Sequence, residues 1–397
     1  MFRKIGPGVL VAAAFIGPGT VTACTLAGVG FGYALLWAML LSVIATVVLQ
    51  EMSARLGIIT QKGVADAIKN ELKTPWLRYI MLGIVLAAIV VGNAAYEAGN
   101  IGGATLGMNA LFGADYADYY PLIIGFLAFL LLYMGNYRSL EKVFVTLVVL
   151  MSISFLMTAL ITKPNPMDIL NGLFFPTIPE GGILTIIALV GTTVVPYNLF
   201  LHASLVREKW KSENDLPLAR KDTLISIGLG GMVSMSIIVA AASIPGDNVS
   251  GVMDLAKGLE PLYGESAKYF MGIGLFAAGV TSAITAPLAA AYVANSCFGW
   301  NAGLKHIKFR IVWMLILGLG IFFLSFDIKP IEIIKFAQIA NGILLPIIAI
   351  FLLWIVNKHS VMGKYRNSKF QNSVGILIIL LSIVLGAKSI LKVIGLF

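Results

Sequence analysis

Stretches of about twenty apolar residues recur along the whole chain, separated by short polar turns. A helix needs ~20 mostly apolar residues to cross a bilayer. With no water in the hydrocarbon, a spanning segment must satisfy its own backbone, as a helix does. The runs are long and show no strand-like alternation, so the fold class is all-α integral membrane. Eleven spans fit, at about 7–30, 34–54, 79–112, 119–136, 141–162, 183–206, 222–244, 268–297, 309–326, 331–356 and 372–394. The third and eighth exceed what a bilayer requires, so tilt or a projecting end is expected. Only 12% of residues are charged, against ~25% in soluble domains. No hydrophilic stretch is long enough for a second, soluble domain. One transmembrane domain over 1–397 is expected: repeat one at 1–165, repeat two at 180–357, and an extra helix at 370–397. MFRKIGPGVL runs into a full-length span without an AxA-type site, so it reads as a transmembrane helix and not a signal peptide.

Charge tests the span count. With the N-terminus in the cytoplasm, 21 Lys and Arg fall in cytoplasmic segments and 6 in external ones, with Lys335 inside the tenth span. The bias alternates with every loop, and a missed span would spoil it. The expected topology is N-terminus cytoplasmic and C-terminus extracytoplasmic, in the plasma membrane. The net charge of +9 then reflects cytoplasmic loops; no basic cluster suggests nucleic acid. Cys24 and Cys297 lie inside apolar spans without CxxC spacing and read as packing residues. GxSxG, Walker A and HExxH motifs are absent. No enzymatic activity and no cofactor are expected, and a monomer is. The segment GIITQKGVADAIKNE after the second span reads as a short amphipathic surface helix.

Two spans carry a breaker near their centre. In VAAAFIGPGTVTACTLAG, Gly17, Pro18 and Gly19 interrupt the first span. In IIALVGTTVVPYNLFLHASL, Pro196 interrupts the sixth. Proline lacks an N–H and clashes with the preceding turn, and glycine tolerates non-helical angles. These are the first spans of two five-span halves, and an odd number of crossings inverts the second half. Paired breaks in inverted halves point to a transporter's substrate site. Polar residues flank both: Thr20 and Thr22 in one, Thr192, Thr193, Tyr197 and Asn198 in the other.

Other polar groups lie within spans. Glu97 sits mid-span in VVGNAAYEAGNIGG, three residues before Asn100 and so on the same helix face. An intramembrane carboxylate costs several kcal/mol and by default marks an ion path or proton relay. Gln338 and Asn341 share a face of the tenth span, and His202 follows Pro196 by more than a turn. Intramembrane Asn, Gln and His can also simply bond across helices. The expected proton path is Glu97, Asn100 and His202.

At these residues the chain resembles the NRAMP family of divalent-metal transporters. QEMSARLGIITQKGVADAI is similar to that family's second helix and following loop, and YRSLEKV to its fourth-to-fifth connection. VVPYNLFLHASLV resembles the sixth-helix motif MPHNLYLHSxLV, GLFAAGVTSAITAPLAA the eighth helix, and FAQIANGILLP the tenth-helix SQ…P pattern. The resemblance implies eleven helices in the inverted-repeat fold shared with amino-acid transporters, with the first and sixth broken. It also marks this chain as divergent. The family's DPGN, whose Asp and Asn bind metal, is matched by Gly17-Pro18-Gly19-Thr20. Its sixth-helix Met is matched by Val195 and the first His by Tyr197, while His202 and Gln338 are retained. The third-helix Asp and Glu of its proton path are matched by Glu97 and Asn100.

The resemblance implies a secondary transporter working by alternating access. The substrate-binding set is Gly17, Gly19, Thr20, Thr192, Val195, Tyr197, Asn198, Gln338 and Asn341. Any metal contacts would come from Thr20, Asn198 and Gln338. Two substrate readings stand. A hard dication such as Mg²⁺ dehydrates reluctantly; Thr20, Asn198, Gln338 and Asn341 would bond its water, and Glu97 would supply charge. Alternatively, the half-helix N-terminus near Thr20 favours an amino acid, carboxylate or small inorganic anion. A receptor keeping the fold without transport is a third class. Fold analogy favours the cation. The topology is checked by reporter fusions: one that works only outside the cytoplasm should be active after Phe397 and silent beside Arg220. The reverse pattern would invert the orientation.

Overall fold

The computed structural model describes residues 16–135, 138–244, 249, 251–300, 302–326 and 328–393. Among them, ten helices are long and apolar enough to cross a membrane. The first span is described from Ile16, as the helix Pro18–Phe31. Its expected first half lies outside the described residues. The others are Leu36–Thr60, Pro75–Phe112, Tyr120–Met134, Arg138–Ile161, the pair Ile183–Thr193 and Pro196–Lys209, Leu216–Ala241, Ala267–Phe298, Ile307–Leu324, Pro330–Val356 and Lys369–Val393. Short helices lie between them, including Val64–Glu71 after the second span. Both cysteines are buried and free.

Several helices outrun the apolar limits. The second continues to Thr60, the third starts at Pro75 and the seventh at Leu216. Hydropathy detects only the part in hydrocarbon, whereas a helix persists into water wherever capping and packing support it. Thr74 and Pro75 start the third span with proline at the first helical position, where its missing N–H costs nothing. The expected surface helix is confined to Val64–Glu71 and is half-embedded, with Val64, Ala65, Ala67 and Ile68 buried. Lys335 lies in the second turn of the tenth span, half-exposed and 3.6 Å from Glu332. The charge within that span is therefore an ion pair near its end.

The third span is the central post. It packs on the eighth, tenth and ninth spans. Its contact with the eighth is backbone-close: a Cβ on Gly279 would stand 2.7 Å from Asn100 O. Membrane helices associate by such close packing of small residues. Asn93 Nδ2 adds a 2.8 Å bond to Ala286 O. The first span touches the seventh, sixth, tenth and third.

Polar chemistry is concentrated at one end of the second span. Arg55, 1% exposed, bonds Glu51 at 3.1 Å, the Tyr365 carbonyl and the Asn367 side chain. Arg220, from the seventh span, bonds the same Glu51 at 2.8 Å. One carboxylate and one buried guanidinium thus tie the second and seventh spans to the loop before the last. Breaking a buried pair by removing one partner costs about 3 kcal/mol or more. Arg55→Ala should lower the melting temperature of detergent-solubilised protein accordingly, while Lys62→Ala, at an exposed position nearby, should not.

Candidate functional site

The expected first-span break, described from Ile16 onward as a helix start at Pro18, meets the break in the sixth span. Gly17 is extended (φ −116°, ψ −174°), and the helix begins at Pro18 with Thr20 and Val21 N–H groups donating to Gly17 O at 3.0 and 3.1 Å. In the sixth span, Val194 (φ −94°, ψ 74°) and Val195 (φ −77°, ψ 119°) leave helical geometry before Pro196 restarts it. Pro196 has no N–H to offer the Thr192 carbonyl, which a continuous helix would require. Thr20 Oγ1 and Thr192 Oγ1 are 2.8 Å apart, fully buried, joining one break to the other.

The tenth span clamps both. The Gln338 side chain lies on Gly19, where any Cβ would overlap its amide, and its carbonyl lies on Gly191 just before the second break. Ser282 of the eighth span closes another side, its Oγ 3.1 Å from where a Gly17 Cβ would stand. The third span covers the remainder with a stripe at helical spacing. Gly92 faces Asn341, Tyr96 meets Tyr197 edge-on at 5.5 Å, Gly99 faces Ala337, and Gly103 receives Pro18. All nine expected substrate-binding residues are buried. Among the described residues, buried polar atoms without partners occur here, Ser282 Oγ, Gln338 Oε1, Asn341 Nδ2 and Tyr197 Oη, and on the same two broken spans, Thr22 Oγ1 and both side-chain polar atoms of Asn198. Such atoms are costly unless a water or substrate serves them.

The expected proton path is only partly assembled. Asn100 Nδ2 donates to Glu97 Oε2 at 3.3 Å, as their three-residue spacing requires; Glu97 Oε1 has no partner. One residue after Tyr96, Glu97 is turned ~100° from the stripe that covers the breaks. It packs on Gly320 of the ninth span, where a Cβ would come within 2.6 Å of Glu97 Cγ. His202 is bound elsewhere: its Nδ1 is 2.8 Å from Gln50 Oε1 of the second span, and its Nε2 is unpartnered. Gln50 and Ser282 escaped nomination from sequence. Each is a polar residue within an apolar span, the only local signal they give.

No group of three or more His, Cys, Asp or Glu that could hold a metal occurs among the described residues. What converges is neutral: amides, hydroxyls and the open backbone at the breaks. Such a set can bond an ion's water shell or a small polar solute, but supplies no formal charge.

The comparisons with known proteins agree with one another. The family model described as natural resistance-associated macrophage protein-like matches residues 8–392. The divalent metal cation transporter MntH of Staphylococcus saprophyticus is 29% identical, over 96% of this chain and 90% of its own. MntH of Erwinia tasmaniensis is 26% identical, over 97% and 93%. Among solved structures, the Eremococcus coleocola manganese transporter aligns at a TM-score of 0.81 and 18% identity, covering 98% of this chain and 86% of that one. The fold is therefore the inverted-repeat transporter fold.

The Thr20–Thr192 tie is testable by a double-mutant cycle with Thr20→Val and Thr192→Val. A net hydrogen bond contributes about 1 kcal/mol, so the double variant should lose that much less stability than the singles summed. Strict additivity in denaturant unfolding would show that the tie carries nothing.

Proposed function

The chain belongs to the Nramp family, and on that premise we propose that it is a secondary transporter of a divalent metal cation. The observation that carries this reading is the joined pair of helix breaks, roofed by Gln338 and Ser282 and lined by unpartnered oxygens. In this reading the cation is hard, such as Mg²⁺, and crosses with most of its water. Thr20, Asn198, Gln338 and Asn341 bond that water. Among the described residues the helix breaks carry no carboxylate of their own, and the thioether beside them, that of Met39, already accepts from Thr193 Oγ1 at 3.5 Å; such ligands would reward stripping a dication of its shell. The relatives' names specify divalent metal or manganese; their substrate is assigned here only as a class.

Access alternates as the first and sixth spans move against the third and eighth. Support comes from the bonding: a hydroxyl pair joins the breaks, whereas close backbone packing joins the third and eighth spans. Glu97, turned toward the ninth span, serves proton movement and not cation binding in this reading. The protein works as a monomer in the plasma membrane, with its N-terminus in the cytoplasm.

Proteoliposome uptake of Mg²⁺, Mn²⁺, amino acids and simple anions, side by side, tests the proposal. Saturable Mg²⁺ uptake is expected. Asn198→Ala or Gln338→Ala should raise its KM about tenfold, the scale of one hydrogen bond to a charged group. Uptake of an amino acid or anion without any dication would overturn the cation reading. Micromolar Mn²⁺ affinity would overturn the hydrated-ion reading. Separately, Glu97→Gln should flatten the pH dependence of uptake, and unchanged coupling would remove Glu97 from the proton path.

A further inference from the structure

A second binding place lies on the outer face of the bundle, remote from the helix breaks. Between the helix Val64–Glu71, the start of the third span and the end of the eighth is a cleft of 290 Å³. That volume is at the lower end of ligand-sized cavities, ~300–1,000 Å³. Lys69, Arg78, Tyr79 and Phe298 form its mouth; Leu82 and Leu86 line it further in. Its chemistry is graded along one helix. Arg78, Leu82 and Leu86 recur every fourth residue and share a face. From Arg78 to Leu86 the slot runs ~12 Å at 1.5 Å per residue, most of one leaflet's ~15 Å apolar half.

The depth of the mouth is marked by aromatic residues. Trp76 and Tyr79 are 63% and 69% exposed at the start of the third span. Exposed Trp and Tyr sit at the headgroup level of membrane proteins. On the opposite rim, Phe298 stacks on Trp300 with ring centroids 4.6 Å apart. Lys69 Nζ lies against Gly299, the left-handed residue that ends the eighth span. Among the described residues neither Lys69 nor Arg78 is in a salt bridge. Asp66, the acid on Lys69's own helix, is 3.8 Å from Arg207 instead. Two cations without carboxylate partners at headgroup level, above an apolar slot, complement one class of molecule.

We propose that this cleft binds an anionic glycerophospholipid, with its phosphate between Lys69 and Arg78 and an acyl chain along Leu82, Gly83 and Leu86. Gly83 makes the slot. It is exposed, and a Cβ placed on it would meet nothing within 4 Å. A larger side chain there fills the cleft without disturbing the packing. The bound lipid bridges the amphipathic helix to the third and eighth spans, the two packed against each other in the core of the bundle.

The test uses full-length protein in nanodiscs containing phosphatidylglycerol with a diazirine on its acyl chain, or the matching phosphatidylcholine probe. Phosphatidylglycerol adducts should map to residues 79–86 and 297–298. They should fall about thirtyfold in Lys69→Ala/Arg78→Ala, since each cation near an anionic headgroup contributes about a fivefold factor. Gly83→Leu should lose the adducts too, and it tests the slot even if the double variant fails to fold. Equal labelling by phosphatidylcholine would overturn the anionic assignment. Labelling of those residues unaffected by Gly83→Leu would overturn the slot. Competition by millimolar inorganic phosphate without loss of affinity for the protein would show a free-anion site and overturn the lipid.

Discussion

Peptide groups have no water to bond in hydrocarbon, and each one left bare costs several kcal/mol. This chain nevertheless interrupts its sixth span at membrane depth and starts the helix Pro18–Phe31 from extended backbone at Gly17, and the rest of its architecture encloses those two places. The breaks face each other through Thr20 and Thr192. Gln338 sits across both, and Ser282 and the Gly92–Gly103 stripe complete the wall. Irregular backbone in a membrane survives only where protein or a polar cavity receives it. Here the protein supplies buried surroundings in which several polar side-chain atoms have no bonding partner.

Those surroundings narrow the chemistry of the proposed substrate. A bare dication gains most from carboxylates, and a transition metal also from a thioether. Gly17 and Val195 stand where the family resemblance implies an Asp and a Met, and among the described residues no carboxylate takes their place at the breaks themselves. Amide and hydroxyl groups are suited instead to water already held by an ion. Binding of that kind forgoes strong coordination but avoids the cost of dehydration, which for Mg²⁺ is the larger obstacle. Glu97 lies on the neighbouring face of the third span against Gly320, yet it is close enough to Tyr197, just after the sixth-span break, for its charge to be felt there.

What could be read from sequence was local. The spans follow from hydropathy, and the second break follows from one proline; the structure interrupts the helix at Val194–Val195, immediately before it. The Glu97–Asn100 bond follows from helical spacing. What could not be read depends on partners far along the chain. Gln50, the partner of His202, is 152 residues away. The Tyr365 carbonyl held by Arg55 is 310 residues away. Ser282 looks like any serine in a small-residue helix until Gly17 is placed beside it. Helix ends were misjudged for a different reason: hydropathy reports where the hydrocarbon stops, and the second, third and seventh helices continue past it.

Unequal strength among these contacts sets which parts can move. The third and eighth spans approach until backbone touches backbone at Gly279 and Asn100, so sliding them apart would open voids along the full interface. Across the breaks the polar tie between Thr20 and Thr192 is a hydroxyl pair, a net contribution of about 1 kcal/mol. A substrate can shift a conformational equilibrium only by its differential affinity for the two states. Asn198, Gln338 and Asn341 carry the means for that difference, because their unpartnered atoms gain bonds only when something occupies the centre. Gaining those contacts favours the occupied, closed state. In the proposed cycle, loss of the substrate frees the first and sixth spans to move together against the third and eighth.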